Sequence, residues 1–120
     1  MSRSKQKGTA WETAVVNWLR EQGVTYAERR ALAGINDQGD ISGIPGVVIE
    51  CKSERAMTLA SYVDETEVER ANNGARVGFA WIKRRGKTSP GAGYVVMTGV
   101  QVLQLLKEAG YIPPPTKGMR

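Results

Sequence analysis

An apolar run that ends in charge, Val47-Val48-Ile49-Glu50-Cys51-Lys52, constrains the fold of this chain more than any other stretch. Its β-branched residues are typical of a strand buried in a sheet. Because successive side chains of a strand point to opposite faces, Glu50 and Lys52 share one face and lie about 7 Å apart. Burying both charges in a dry core would be costly without compensating partners. We therefore expect this face of the strand to line a cleft.

A second acidic residue precedes this strand. Asp40 follows the turn-prone segment 36–39, and a Gly/Pro turn at residues 43–46 separates it from the strand. An aspartate at the start of one strand and Glu50 on the next would give two oxygen ligands for a hard cation, with the Lys52 ammonium beside them. This combination suits magnesium and phosphate.

A helix with a third carboxylate is predicted near the N-terminus. Thr9 can cap it, Glu12 occupies the N3 position of a capping box, and Gly23 can end it. The apolar positions at helical spacing are Trp11, Ala14, Val15, Trp18 and Leu19. Glu12 has two interpretations of equal weight: a helix cap, or a carboxylate that points at the cleft.

The remaining pattern predicts an α/β domain. Strands are expected at residues 24–30, 76–83 and 94–98, and helices at residues 58–73 and from residue 98 or 99 to about 110. The helix over 58–73 carries four acids, Asp64, Glu65, Glu67 and Glu69. Such a group is usually a solvated face, although it can also border a metal cleft. None of the four is assigned as a ligand.

Positive charge favours a polyanionic partner. The chain has 17 Lys and Arg against 12 Asp and Glu, a net charge of +5. The densest cluster is in the loop after residue 82 and comprises Lys83, Arg84, Arg85 and Lys87. A flexible cationic loop can bind a phosphate backbone without reading bases, although it can also be simply solvated.

Arg29 and Arg30 end the first strand on opposite faces, so at most one of them can join the cleft.

Composition excludes several classes of protein. There is no histidine, which excludes a Ser-His-Asp hydrolase and a His-ligated zinc site, and the single Cys51 cannot form an internal disulfide. No stretch approaches the roughly 20 apolar residues that span a bilayer. We expect one cytoplasmic domain over residues 1–120, with no membrane partner. A mobile basic arm (about 1–8) and a proline-rich tail (about 113–120) are expected to flank it.

Three short motifs in this order resemble the PD-(D/E)xK nuclease superfamily, and within it the small archaeal and phage-type Holliday junction resolvases. They are Lys7-Gly8-Thr9-Ala10-Trp11-Glu12, Gly39-Asp40 and Ile49-Glu50-Cys51-Lys52-Ser53. Each motif alone is weak, and the match covers roughly residues 7–98. Gly39 stands where the signature has proline.

The resemblance implies a restriction-endonuclease-like core, with a central mixed sheet flanked by helices. It also implies a magnesium-dependent endonuclease that takes part in bacterial or phage DNA recombination and repair. Manganese could replace magnesium. Asp40, Glu50 and the carbonyl of Cys51 would hold the metal, with Glu12 a further candidate, and Lys52 would orient water or stabilise charge. A resolvase cuts two symmetry-related strands, so a homodimer is expected.

Two alternatives remain open from the sequence. The same nuclease chemistry can act on flaps, ends or duplex DNA, since all of these are recognised through backbone shape. A non-catalytic basic module that binds nucleic acid is the other, with Glu50 and Lys52 as a mere ion pair.

Overall fold

The computed structural model describes residues 3–31 and 37–115, with side chains from residue 7 onward. The elements, in chain order, are α1 (Arg3–Glu21), β1 (Glu28–Arg29), β2 (Ile41–Ser42), β3 (Val47–Lys52), α2 (Leu59–Asn73), β4 (Val77–Ile82), β5 (Tyr94–Val96) and α3 (Gly99–Glu108). A short 3₁₀ helix, Pro90–Ala92, precedes β5. The expected α/β class is confirmed. No helix in the described part of the chain is both long and apolar enough to cross a membrane.

The five strands form one mixed sheet in the order β1-β2-β3-β4-β5. The β3 and β4 strands are parallel and pair from Val47 with Val77 to Lys52 with Ile82, whereas the other neighbours are antiparallel. Parallel neighbours need a crossover connection, and α2 provides it. The charged end of β3 therefore leads directly towards the helix that covers one face of the sheet.

Helices cover both faces of the sheet, and each face has its own core. On one face α1 packs Trp11, Val15 and Leu19 against Ile49 of β3 and Trp81 of β4. On the other face Tyr62 of α2 packs against Ala80 and Ile82 of β4. The alternation of β3 thus directs Ile49 towards α1 and Glu50 towards α2, where its carboxylate lies beside that of Glu69.

The predicted start of the N-terminal helix was wrong, and two further predictions depended on it. Helix α1 begins at Arg3, so Thr9 lies inside the helix and is not its cap, and residues 3–8 are helical and do not form an arm. Lysine, glutamine and alanine are good helix formers, and their propensity over residues 5–10 outweighs the capping signal at Thr9. In consequence Glu12 lies in the middle of α1, and its interpretation as a capping residue is also wrong.

The first strand is shorter than predicted. Only Glu28–Arg29 is extended and paired, because residues 24–27 form turns in which Val24 N–H donates to Leu19 O and Ala27 N–H donates to Val24 O. At the other end of the chain, residues 113–115 have no regular structure, and 116–120 lie outside the described residues.

Gly39 has a backbone reason to replace the proline of the nuclease signature. Its φ is +99°, which proline, fixed near −65°, cannot adopt. A Cβ added to Gly39 would lie 2.9 Å from Val48 Cγ1 and 3.0 Å from Ile49 O. This close approach lets Asp40 N–H donate to Ile49 O at 2.8 Å, which fixes Asp40 against β3.

We expect Gly39→Ala to lower the free energy of unfolding by about 2 kcal/mol, since the positive φ and the close contacts both oppose a side chain. Gly46→Ala is a matched control, because Gly46 also has a positive φ but no atom within 4 Å of an added Cβ. Its cost should be about 1 kcal/mol. Urea unfolding measures both, and equal losses would contradict the role given to the close approach.

Candidate metal centre

Three carboxylates converge between the sheet and α2. Carboxylate oxygens of Asp37, Glu50 and Glu69 all lie within 4.8 Å of one another. Glu50 is only 4% exposed and Glu69 only 2%. Three acids this close, two of them almost fully buried, are a cluster that can hold a metal ion. The cluster shares Glu50 with the predicted metal ligands.

Helix α2 brings Glu69 to the sheet through a simple repeat. Its buried residues are Tyr62, Thr66 and Glu69, at positions i, i+4 and i+7 of one helical face. The Thr66 hydroxyl donates to Tyr62 O at 2.7 Å, so its polarity is satisfied within the helix. Glu69 is therefore the member of the stripe that presents an ionisable group to β3.

Asp37 reaches the cluster because its segment is attached to the end of α2. Asn72 Nδ2 donates to Asp37 O at 2.9 Å, and Asn73 Nδ2 donates to Gln38 Oε1 at 3.0 Å. Gly39 N–H donates to Asp37 Oδ1 at 2.8 Å. These bonds hold the Asp37 carboxylate beside Glu50 and Glu69 and leave its second oxygen for another partner.

The buried acids lack hydrogen-bond partners. Glu50 Oε2 and both carboxylate oxygens of Glu69 are buried, and none accepts a hydrogen bond from the described residues. Burial raises the pKa of Glu50 well above its usual value, and the adjacent Glu69 and Asp40 raise it further. Burial likewise raises the pKa of Glu69. Such unsatisfied oxygens are expensive, and a cation ligated by them would remove the cost.

Asp40 links this cluster to the α1 side of the sheet. Its Oδ2 accepts a hydrogen bond from Cys51 N–H at 2.7 Å. Burial raises the pKa of Glu12, and the charge of Asp40 adds to that rise. Asp40 thus acts both on Glu12, which lies on α1, and on Glu50, which faces α2. The Arg29 guanidinium pairs with Glu12 at 3.2 Å.

The backbone of Cys51 faces the same acids. The N–H and C=O of one strand residue point to the same edge of the strand, and Cys51 N–H points to Asp40. Its carbonyl therefore faces the Asp40 side, where a metal ligand is expected. Burial and the charges of Asp40, Glu12 and Glu50 raise the pKa of the Cys51 thiol, which is therefore protonated at neutral pH in the metal-free protein.

Lys52 lies at the α2 end of the acidic cleft. Its Nζ is 2.6 Å from Glu65 Oε2 and 3.9 Å from Glu50 Oε1, and it lies 5.4 Å from the centre of the Tyr62 ring. Burial lowers the pKa of Lys52, but the hydrogen bond to Glu65 and the charges of Glu50 and Glu65 outweigh it and the pKa is raised. Lys52 is thus a cation at neutral pH.

A basic groove leads to Lys52. It has a volume of about 710 Å³, and its cationic lining consists of Lys7, Arg55, Lys83 and Arg85. An adjoining pocket of about 510 Å³ shares Lys7 and Arg55 and is also lined by Cys51 and Lys52. The two pockets join the predicted basic loop to the end of β3.

The other predicted basic residues lie apart from this groove. Arg84 stacks 5.5 Å from the Tyr94 ring, and Lys87 is exposed beyond it. Arg29 pairs with Glu12, whereas Arg30 lines a separate pocket beside Gly43 and Asn73. The two arginines therefore serve different surfaces, as the alternation of the strand predicts.

Sequence reasoning missed five residues of these surfaces: Asp37, Glu65, Glu69, Lys7 and Arg55. The spacing of Tyr62, Thr66 and Glu69 was a usable signal, since it predicts which of the acids in α2 faces the sheet. Lys7 was assigned to an arm, and the early start of α1 explains that error. Asp37 has no local signal, because tertiary hydrogen bonds to α2 determine its position.

Comparison with known proteins returns no relative: no family model, no curated protein and no solved structure matches this chain. The resemblance to nuclease motifs thus remains an expectation drawn from the residues, and the site is interpreted from its own geometry.

We expect Glu50→Gln to stabilise the metal-free protein at alkaline pH. Folding raises the pKa of Glu50, so the folded protein keeps the Glu50 proton at pH values where the unfolded chain has lost it. The free energy of unfolding is therefore highest below the unfolded pKa of 4.5 and falls as the pH rises towards the folded pKa. The glutamine amide stays neutral in the folded and the unfolded state, so the variant escapes this loss. At pH 8 in EDTA it should be about 2 kcal/mol more stable than the wild type. Urea unfolding from pH 5 to pH 9 measures this difference.

Asp64→Asn, on the exposed face of α2, is the matched control for this measurement. Its stability should follow the wild-type pH dependence. Parallel curves for the wild type and Glu50→Gln would show that the Glu50 carboxyl ionises at an ordinary pH.

Proposed function

We propose that the chain is a metal-dependent DNA endonuclease that hydrolyses phosphodiester bonds in branched DNA, with four-way Holliday junctions as its substrate. One observation carries the proposal. Glu50, buried and with an unpartnered oxygen, lies next to Asp40 and Lys52 where a basic groove ends. Acids at the end of β3 suit a metal ion, and the cations of the adjoining groove suit a phosphate.

The donor set suits magnesium. Asp40 and Glu50 would hold the ion, with the Cys51 carbonyl as a neutral oxygen ligand and Glu12 as a further carboxylate nearby. Hard oxygen ligands of this kind suit Mg²⁺, and Mn²⁺ as a substitute. When bound, such an ion lowers the pKa of a water molecule and stabilises negative charge on the phosphate and the leaving oxygen.

Lys52 acts in this proposal as a fixed positive charge. Glu65 holds its ammonium at 2.6 Å and keeps it protonated, so it can stabilise the phosphate but is a poor base. The basic groove would bind the neighbouring backbone phosphates through Lys7, Arg55, Lys83 and Arg85. Contacts of this type position DNA without selecting a sequence.

Two other functions compete with junction resolution. A nuclease for flaps, ends or duplex DNA would use the same site and groove, and differs in substrate alone. A non-catalytic DNA-binding module would need the groove but has no use for two buried glutamates, Glu50 and Glu69, whose oxygens lack partners beside Asp37. Burying such oxygens weakens the fold. The cost of the acidic cluster therefore favours an enzyme.

We expect the wild type to make paired nicks near the centre of a labelled four-way junction in Mg²⁺ and none in EDTA. Glu50→Ala should lower the cleavage rate at least about 100-fold, since it removes a central metal ligand. Junction binding in EDTA should persist, because the groove is unchanged. Gel analysis of junction, flap and linear duplex substrates measures cutting and binding in parallel.

The variants of Lys52 sharpen this experiment. Lys52→Arg keeps the charge and should retain more activity than Lys52→Ala. Cutting of flaps or duplex in preference to junctions would keep the chemistry and change the substrate. Binding with no cutting in Mg²⁺ or Mn²⁺ would leave the basic binding module as the function.

We also propose a homodimer, because resolution requires two incisions related by two-fold symmetry. Helix α3 supplies apolar surface for it: Val100 is 75% exposed and Leu103 is 50% exposed. Leu103→Lys should give a monomer in sedimentation equilibrium and abolish paired nicking. Val68→Lys, a control on the exposed side of α2, should remain a dimer; a monomeric wild type that still makes paired nicks would contradict the proposal.

A further inference from the structure

We propose that Asp37, Glu50 and Glu69 form a second divalent-cation site, which shares Glu50 with the catalytic metal and fixes the segment that carries Asp40. The existence of this site rests on its own geometry. Its role beside a catalytic ion rests on the proposed function.

The spacing of the three acids fits one ion. Oxygens that ligate Mg²⁺ or Mn²⁺ at about 2.1 Å lie at most about 4.2 Å from one another, and oxygens around Ca²⁺ at most about 5 Å. The oxygens of Asp37, Glu50 and Glu69 already lie within 4.8 Å. Small side-chain shifts would therefore bring all three into a single coordination sphere.

The unpartnered oxygens are a separate observation in favour of a ligand. Glu69 is 2% exposed, yet neither of its carboxylate oxygens accepts a hydrogen bond from the described residues. Glu50 Oε2, in a side chain that is also almost fully buried, is in the same condition. A proton shared between Glu50 and Glu69 would satisfy one oxygen of each, whereas a bound cation could use the remaining oxygens as well.

Nearby lysines and arginines do not replace the cation. Within the described part of the chain, Glu69 forms no ion pair, and the nearest arginine on its helix, Arg70, binds Glu67 at 3.0 Å. Lys52 makes its short contact with Glu65 and stays 3.9 Å from Glu50. Among the described residues, Lys52 is thus the one cation that pairs with the cluster, and its contact with Glu50 is long.

Glu50 is the connection between the two sites. Its carboxylate has an oxygen within 4.8 Å of one of Glu69, and the next residue, Cys51, donates its N–H to Asp40 Oδ2 at 2.7 Å. A carboxylate in this position can bridge two ions, as in sites where two metals lie about 3.5–4 Å apart. The second ion would also fasten Asp37 to α2, three residues before Asp40, and so hold Asp40 against β3.

Direct binding of Mn²⁺ tests the inference without a substrate. Equilibrium dialysis with detection by electron paramagnetic resonance should count two Mn²⁺ per wild-type chain. Glu69→Gln should lose one ion, or bind it at least about tenfold more weakly. Asp40→Asn should lose the other, and Asp64→Asn should bind both.

Asp37→Asn is a second variant of the same site that is less able to disturb folding, because Asp37 is partly exposed. It should weaken binding of the same Mn²⁺ ion as Glu69→Gln does. Circular dichroism would check that each variant is folded. Wild-type stoichiometry in folded Glu69→Gln and Asp37→Asn would overturn the second site.

The two proposals fail separately in these measurements. If the wild type binds two Mn²⁺ and Glu69→Gln binds one, but no DNA is cut, the site stands and the nuclease function falls. If DNA is cut and Glu69→Gln keeps both ions, the function stands and the second site falls.

Discussion

The rest of the structure depends on the burial of one carboxylate, Glu50, at the end of an otherwise apolar strand. In water this group would be ionised, but in the sheet it is 4% exposed and lies beside other acids. Desolvation and like-charge proximity both disfavour its ionised form. This arrangement lowers the stability of the fold, because an alanine or valine at the same position would pack without any electrostatic cost.

The fold supplies this environment through the parallel pairing of β3 and β4. The crossover helix α2 must return along the sheet, and in doing so it brings Glu65 and Glu69 over the end of β3. On the opposite edge, the positive φ of Gly39 lets the chain approach β3 closely enough for Asp40 to accept from Cys51 N–H. One strand thus receives acids from both sides.

The sequence predicted those parts of the site that follow from strand periodicity. Alternation places Glu50 and Lys52 on one face and Ile49 on the other, and the structure agrees because β3 is regular over its whole length. The contribution of Glu69 was accessible from helical spacing but was hidden among other acids of α2. Asp37 was not predictable, since its place depends on hydrogen bonds from α2, thirty-five residues away along the chain. The predicted start of α1 was wrong because the capping signal at Thr9 was outweighed by the helix propensity of the residues before it.

The distribution of charge separates two kinds of partner. The chain has a net charge of +5, yet the acids beside Glu50 form a negative interior, and four cations line the groove outside it. A polyanion is therefore attracted to the groove, whereas a small cation is attracted to the cluster. Lys52 lies at the boundary, 2.6 Å from Glu65 Oε2 and 3.9 Å from Glu50 Oε1. The described cations of the groove are exposed and lie outside the acidic cluster, which can therefore hold a metal ion of its own.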